Sequence, residues 1–343
     1  MKKDGLEIVF FGAGPVGGTV GGWIAAKHEN VYFLDQGEIA EGMRAKGLTL
    51  YEGGKPETRQ HVDVKVINDL SERPDADIIA VAVKNYSLDA VSKIIKDKVG
   101  DKPIIVGIQN GMENQHILPR YFSKVLYCVV GYNTWMDEPG VIGYQKKGPL
   151  VLGTPDNSLQ DELAAVSALF NLGVETIVTD HLGDAVHSKL IINLTNSVTT
   201  LIGHGFKPVS SVAILQRILS NVLYEGIQIT KAAGYHECKI GGMPPWLLLW
   251  ASAKLPHVIT RPLFKKNLAK MVVSSMAQDI ILRKGSESEL DTINGYFVQL
   301  ADKVGVSAPY NKAIYNLCKR AFAAPEFEPL DVQDVWKEIR ANL

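Results

Sequence analysis

Cysteine is scarce: Cys128, Cys238 and Cys318 are the only three among 343 residues. They are scattered and odd in number, which excludes a disulfide framework, and no CxxC or Cys/His spacing offers a metal site. A reduced, cytoplasmic setting is the expectation. An excess of one charge is also lacking. The 36 Lys and Arg nearly cancel the 37 Asp and Glu, leaving a net charge of −1. Nucleic acid is therefore not expected as a partner, because it calls for a basic excess or stripe. Long apolar runs are missing as well. The most lipid-like stretch, residues 243–251 (MPPWLLLWA), falls short of the ~20 residues that span a bilayer, so no membrane span is expected. The apolar run at 8–11 passes straight into glycines and does not read as a secretory signal. There is no internal repeat or low-complexity tract. What remains is a chain of two-domain size, at roughly 100–200 residues per domain, with glycine abundant at 31 residues.

The first half alternates short apolar runs with amphipathic stretches. Strands are predicted at 6–11, 31–34, 77–83, 104–108 and 125–130, with helices at 16–27 and 87–96. Later β-type runs fall at 141–144 and 150–152, and the α/β texture ends after 176–179. Strand–helix–strand alternation implies right-handed crossovers and a mostly parallel sheet. Beyond about 184 the texture turns helical, with helices predicted over 187–201, 211–233, 266–282, 288–304 and 311–321. The resulting division is residues 1–180, α/β, and residues 181–343, all-helical. The segment 239–261 is broken by Pro244, Pro245 and Pro256 and reads as a core or covering element, a dimer contact, or a segment lying over the active site.

Gly12-Ala13-Gly14-Pro15-Val16-Gly17 fits GxGxxG, following a strand and opening a helix. In that context Gly12 allows the tight turn, Gly14 lets backbone approach a pyrophosphate, and Gly17 lets helix and strand pack closely. The helix N-terminus offers free N–H groups to phosphate. The second strand ends at Asp35, where a carboxylate can accept from ribose hydroxyls and repel a 2′-phosphate. Its neighbour is Gln36, and no arginine follows at once. These residues favour NAD(H) over NADP(H); the bland alternative is that Asp35 only ties the turn. Lys84 and Asn110 each follow a strand, at the carboxyl ends where open α/β sheets place ligands, although Asn110-Gly111 is also an ordinary turn pair.

On the helix 187–201, Lys189, Asn193, Asn196 and Ser197 form a narrow polar stripe against Leu190, Ile191, Leu194, Val198, Leu201 and Ile202. Such a stripe is a wet groove or a buried polar network. A lysine there suits carbonyl reduction, since an ammonium stabilises charge growing on the oxygen and can then supply a proton. The eight histidines do not form a set, and no His/Asp pair of the kind used by lactate dehydrogenases is visible.

Several motifs in order, GAGPVGG, VAVKNY, IQNGMEN, Pro139-Gly140-Val141, HSKLIINLTNS, SSMAQDI and SELDTINGY, resemble those of the ketopantoate reductase (2-dehydropantoate 2-reductase) family over nearly the whole chain. The resemblance implies a Rossmann-type NAD(P)-binding domain followed by a helical substrate and dimerisation domain. It implies hydride transfer from a reduced nicotinamide to the C2 ketone of a small 2-oxo acid, most simply 2-dehydropantoate to pantoate; the helix-rich C-terminal half with its apolar segment points to a homodimer. Carried over by motif, Lys189 is the catalytic lysine and Glu289 its acidic partner. Asn110, Asn193, Ser197 and Ser275 are substrate-binding. Gly12, Gly14, Pro15, Val16, Gly17, Asp35, Gln36, Lys84 and Asn110 are cofactor-binding. Four departures stand out: Asp35-Gln36 replaces the arginine-bearing turn of NADPH users, the interval from Ser275 to Glu289 is longer than usual, Ser197 stands where asparagine is common, and the segment 239–261 is long. Glu289 also reads simply as a solvated helix-start carboxylate, capped by Ser286 or Ser288. Other outcomes are a dehydrogenase of another 2-hydroxy acid or polyol-like substrate, and a non-catalytic NAD(H) sensor.

Overall fold

The computed structural model describes residues 5–240, 243–285 and 288–343. It divides into two compact units, one running to Ala185 and the other comprising Val186–Lys239 and Met243–Leu343. Ser286 lies outside the described residues.

The first unit holds the strands β1 (Ile8–Phe11), β2 (Val31–Leu34), β3 (Leu48–Glu52), β4 (Lys55–Val62), β5 (Lys65–Ile67), β6 (Ile78–Val81), β7 (Ile104–Gly107), β8 (Val125–Val130), β9 (Thr134–Glu138), β10 (Val141–Tyr144), β11 (Leu150–Gly153) and β12 (Thr176–Val178). Its helices are α1 (Pro15–Ala25), α2 (Gly37–Lys46), α3 (Asn85–Val99), α4 (Glu113–Ile117) and α5 (Gln160–Asn171). Eight strands form one sheet in the order β12-β11-β8-β7-β6-β1-β2-β5. All its pairs are parallel except β11 with β8. The central strands IVFF, IIAV and VLYCVV are apolar without alternation because helices cover both faces of a parallel sheet. The order reverses between β1 and β6, so the loops after these two strands flank the crevice where doubly wound sheets bind ligands.

A second sheet, β4-β3-β10-β9, was not expected from the sequence. It packs on the far side of α1, and the composition of that helix follows from being sandwiched. A Cβ on Gly21 would lie 2.5 Å from the Phe33 ring, on the main sheet. One on Gly22 would lie 2.9 Å from Leu50 of the small sheet, and one on Gly18 would overlap Ile142. Each helical glycine costs about 1 kcal/mol of propensity. Burial of Val20, Trp23 and Ile24 between the two sheets offsets that loss.

The second unit consists of α6 (Leu182–Leu201, entering from the first unit), α7 (Val212–Ala232), α8 (Trp246–Lys254), α9 (His257–Leu268), the short α10 (Ser275–Ala277), α11 (Tyr296–Val304), α12 (Pro309–Phe322) and α13 (Val332–Arg340). The single helix predicted over 266–282 is instead two. The first stops at Leu268; Ser274 starts the second, its Oγ accepting from the Ala277 N–H at 3.1 Å. Two π-helical turns, Gln278–Leu282 and Asp291–Gly295, were not anticipated either. The start of α12 is held by a buried carboxylate on α7: Glu225 accepts from Tyr310 N (3.0 Å), Asn311 N (2.9 Å) and Asn311 Nδ2 (2.8 Å). Burial pushes this carboxyl up, against the pull of those donors.

Candidate functional site

The glycine turn after β1 has the geometry its pattern implies. Gly12 has φ +96°, and its N–H bonds Leu34 O at 2.9 Å, pinning the turn to the end of β2. A Cβ on Gly17 would overlap the Gly12 carbonyl oxygen and lie 2.9 Å from Ala82 Cβ, so the helix can approach the strand ends only with glycine there. A Cβ on Gly14 would meet nothing within 4 Å, leaving the turn open on that side. Gly14 is the N-cap of α1 and brings no side-chain cap, Pro15 follows at N1, and no acid lies in the first turn. The positive end of the helix, with Val16 and Gly17, is therefore left for an anion.

Asp35 is half-buried just past β2. Its Oδ2 accepts from Ala13 N at 2.6 Å, and its Oδ1 from Gln36 N at 2.7 Å. The carboxylate thus ties β2 to the glycine turn, as the bland reading held. Each carboxylate oxygen still has a second lone pair for a hydroxyl donor. Gln36 is exposed beside it.

Lys84 and Asn110 stand on two loops stitched together. Lys84 is the N-cap of α3. Asn85, next along, donates from Nδ2 to Asn110 O at 2.6 Å, and Gln109 Nε2 donates to Val81 O at 2.7 Å and Val83 O at 3.2 Å. Gly111 adopts φ +91°, which a turn after Asn110 requires. Gln109 and Asn85 were missed as individuals by sequence reasoning. Their only signal was membership of the motif runs, because their hydrogen bonds join segments distant in sequence.

In the second unit, α6 carries the polar stripe. From Ala185 to Thr200 only Lys189, Ile192, Asn193 and Asn196 escape full burial. At about 100° per residue, Asn193, Asn196 and Thr200 project within about 40° of Lys189. Ser197 does not belong with them. Eight residues on, it is rotated by about 80°, is 0% exposed, donates to Leu194 O at 3.0 Å and accepts from Asn294 Nδ2 at 2.9 Å. Its assignment to substrate is corrected to an internal strut between α6 and the turn before α11. His187 is likewise buried, stacked on Tyr235 at 3.7 Å and bonded to the Tyr296 hydroxyl at 2.7 Å.

The stripe continues to Ser275. Thr200 Oγ1 meets Ser274 Oγ at 3.2 Å, so the start of α10 is fastened to the end of the stripe and the neighbouring Ser275 is half-buried there. Thr200 and Ser274 were not singled out from the sequence. Glu289 is 5% exposed, so it is no solvated helix-start charge. Ser288 Oγ accepts from Leu290 N at 3.3 Å. A carboxylate this buried needs compensation by donors or cations.

Residues 8–157 match the family model described as ketopantoate reductase PanE/ApbA, and residues 181–321 match that of its C-terminal part. A 2-dehydropantoate 2-reductase of Pyrococcus abyssi is 25% identical over 316 residues, 92% of this chain and 97% of the relative. Among solved structures, a 2-dehydropantoate 2-reductase of Geobacter metallireducens superposes with a TM-score of 0.74 at 18% identity, covering 92% of this chain and all of the other. A D-mandelate dehydrogenase complexed with NADH and anilino(oxo)acetate superposes with a TM-score of 0.72 at 17% identity, covering 94% and 100%.

Proposed function

Since the chain belongs to the ketopantoate reductase family, we propose that it reduces the C2 ketone of a small 2-oxo acid, 2-dehydropantoate first, at the expense of a nicotinamide dinucleotide. The observation that carries the reading is the stripe on α6: one lysine and two asparagines are the only polar side chains from Ala185 to Thr200 not fully buried. When bound, the reduced nicotinamide supplies the hydride. The chain's own residues do the rest. The Gly12–Gly17 turn holds the pyrophosphate at the end of α1, its fit marked by the open side of Gly14. Asp35, with Gln36, meets the adenosine ribose, and Lys84 and Asn110 line the strand-end crevice. The Lys189 ammonium stabilises the negative charge that develops on the ketone oxygen and delivers the proton that makes it a hydroxyl. Glu289 orients that lysine or binds a substrate hydroxyl. Asn193 and Ser275 hydrogen-bond the substrate, Ser275 at its carboxylate.

A carboxylate at the end of β2, with no arginine beside it, supports NAD(H) over NADP(H). Three cysteines, none in a disulfide, accord with a reducing cytoplasm. The test is an initial-rate screen of 2-dehydropantoate, other aliphatic 2-oxo acids and an aryl 2-oxo acid, each with NADH and with NADPH. The expected result is turnover of 2-dehydropantoate with lower KM for NADH. Turnover of the aryl acid alone moves the assignment to another 2-hydroxy acid. Tight dinucleotide binding without turnover of any member would favour the sensor.

A further inference from the structure

The helices α8 and α9 pack on α7; α8 buries Trp246 and Leu249, yet both helices leave large apolar side chains exposed. In α9 the residues turned toward α7 are largely polar. Gln216 Nε2 donates to Thr260 Oγ1 at 2.7 Å, and Arg261 Nε reaches Gln216 Oε1 at 3.5 Å. No residue of α9 is fully buried. Its outer face instead carries Val258 (75% exposed), Ile259 (68%) and Leu263 (52%), and α8 adds Leu247 (71%) and Leu248 (50%). Trp250 at the end of that row is also exposed. An apolar face of this size on a water-facing helix marks a docking surface.

Charge identifies the occupant. From Cys238 to Gln278 there is no Asp or Glu, while Lys239, Lys254, Arg261, Lys265, Lys266 and Lys270 all fall within the span. The segment is therefore +6 in a chain of net −1, whose remainder holds 30 basic against 37 acidic residues. Lys254 and Arg261 turn toward α7, the former 4.2 Å from the Tyr224 ring. Lys265, Lys266 and Lys270 are exposed beside the apolar residues. A two-fold contact between copies sets a patch against itself, and the segment carries no acid of its own to meet its lysines. Exposed Leu, Val, Ile and Trp bordered by lysines is instead the composition of a helix lying in a lipid interface, its side chains in the acyl boundary and its ammonium groups at anionic headgroups. No helix among the described residues is long and apolar enough to cross a membrane.

We infer that the α8–α9 hairpin is a peripheral docking surface for an anionic lipid bilayer, on which the protein rests without spanning it. The test uses the full-length protein, sedimented with vesicles of phosphatidylcholine alone or mixed with phosphatidylglycerol, at low and high salt. Recovery with the anionic vesicles is expected to exceed that with neutral ones by on the order of tenfold, and to fall with salt. Lys265→Glu/Lys266→Glu and, separately, Val258→Ser/Ile259→Ser/Leu263→Ser should each cut recovery by about tenfold or more, with thermal midpoints unchanged because all five positions are exposed. As a measurement free of any folding defect, anionic vesicles should blue-shift the wild-type tryptophan emission, and Trp250→Phe should diminish that shift. Absence of binding, equal binding to both vesicle types, or retention by the triple variant overturns the inference. So does a dimer, seen by mass photometry, that the triple variant dissolves, since the occupant would then be a second copy.

Discussion

Gly14 and Gly17 sit three residues apart in one turn, yet a methyl group at each should do opposite things. At Gly17 the new Cβ would overlap the Gly12 carbonyl oxygen and lie 2.9 Å from Ala82 Cβ and 3.1 Å from the Gly12 carbonyl carbon. Carbon atoms are comfortable at about 3.5–4.0 Å. The obstructing atoms are mostly turn and strand-end backbone, so relief requires α1 to move away from the main sheet. Overpacking of this kind costs about 1–3 kcal/mol. For a unit of this size that lowers the thermal midpoint by about 2–12 °C, at roughly 2–4 °C per kcal/mol. Dinucleotide affinity falls as well, since the turn is displaced. At Gly14 the Cβ meets nothing, and the backbone at φ −61°, ψ −170° is accessible to alanine. Gly14→Ala should therefore leave stability within about 0.5 kcal/mol of wild type. It should nonetheless weaken NADH binding by about tenfold, the equivalent of ~1.4 kcal/mol, because the methyl occupies the path of the pyrophosphate. Thermal unfolding of the unliganded variants and fluorescence titration with NADH measure the two quantities independently. A Gly14→Ala protein that binds normally refutes the phosphate approach at that residue. A Gly17→Ala protein of wild-type midpoint refutes the packing argument.

Lys189→Ala is expected to lower kcat on 2-dehydropantoate by at least about a hundredfold, the usual scale of a lost general acid; near-normal turnover removes it from the mechanism. Asn193→Ala should raise KM with little change in stability, whereas Ser197→Ala should leave KM alone and cost about 1–2 kcal/mol in urea unfolding. The reason is that Asn294, whose Oδ1 already lacks a partner, would lose the acceptor of its Nδ2 as well. Glu225 makes a pH prediction. Burial raises its pKa, so in the window between the ordinary carboxylate value and the raised one the folded state binds more protons than the unfolded. The stability it contributes is present at the acid end and lost as pH rises through the raised value. Glu225→Gln should remove that component, and urea midpoints that follow the same slope with pH in both proteins would refute it.

The turn after β1 was legible because its requirements are local: a strand end, a positive φ and a helix start fall within six residues, and only glycine meets them. The parallel sheet was legible from apolar runs too short and too continuous for amphipathic helices. The small sheet was not, because β4 (KPETRQHV) is solvent-exposed at nearly every position and owes its conformation to pairing with β3. Nor could the sequence part Ser197 from its neighbours on α6. Its rotation of about 80° from Lys189 leaves it on the margin of the stripe, and only the Asn294 side chain, 97 residues away, determines that it points inward. The outward face of α9 was unreadable for the same reason, since periodicity identifies an apolar row but not the side on which the rest of the protein lies.

The two π-helical turns bear on how such a site can change over evolutionary time. Adding one residue to an α-helix swings everything beyond it by about 100° and would turn Phe297 and Ala301 of α11 out of the core. A π-turn takes up the extra residue within one loop of backbone. The stretch from Ser275 to Glu289, with one such turn inside it and another directly after, can therefore lengthen or shorten by single residues while α11 keeps its register. On the roles proposed for Ser275 and Glu289, chain length between them becomes a route for substrate preference to drift besides side-chain exchange, and a one-residue deletion within Gln278–Leu282 is expected to disturb the protein less than an insertion into α6.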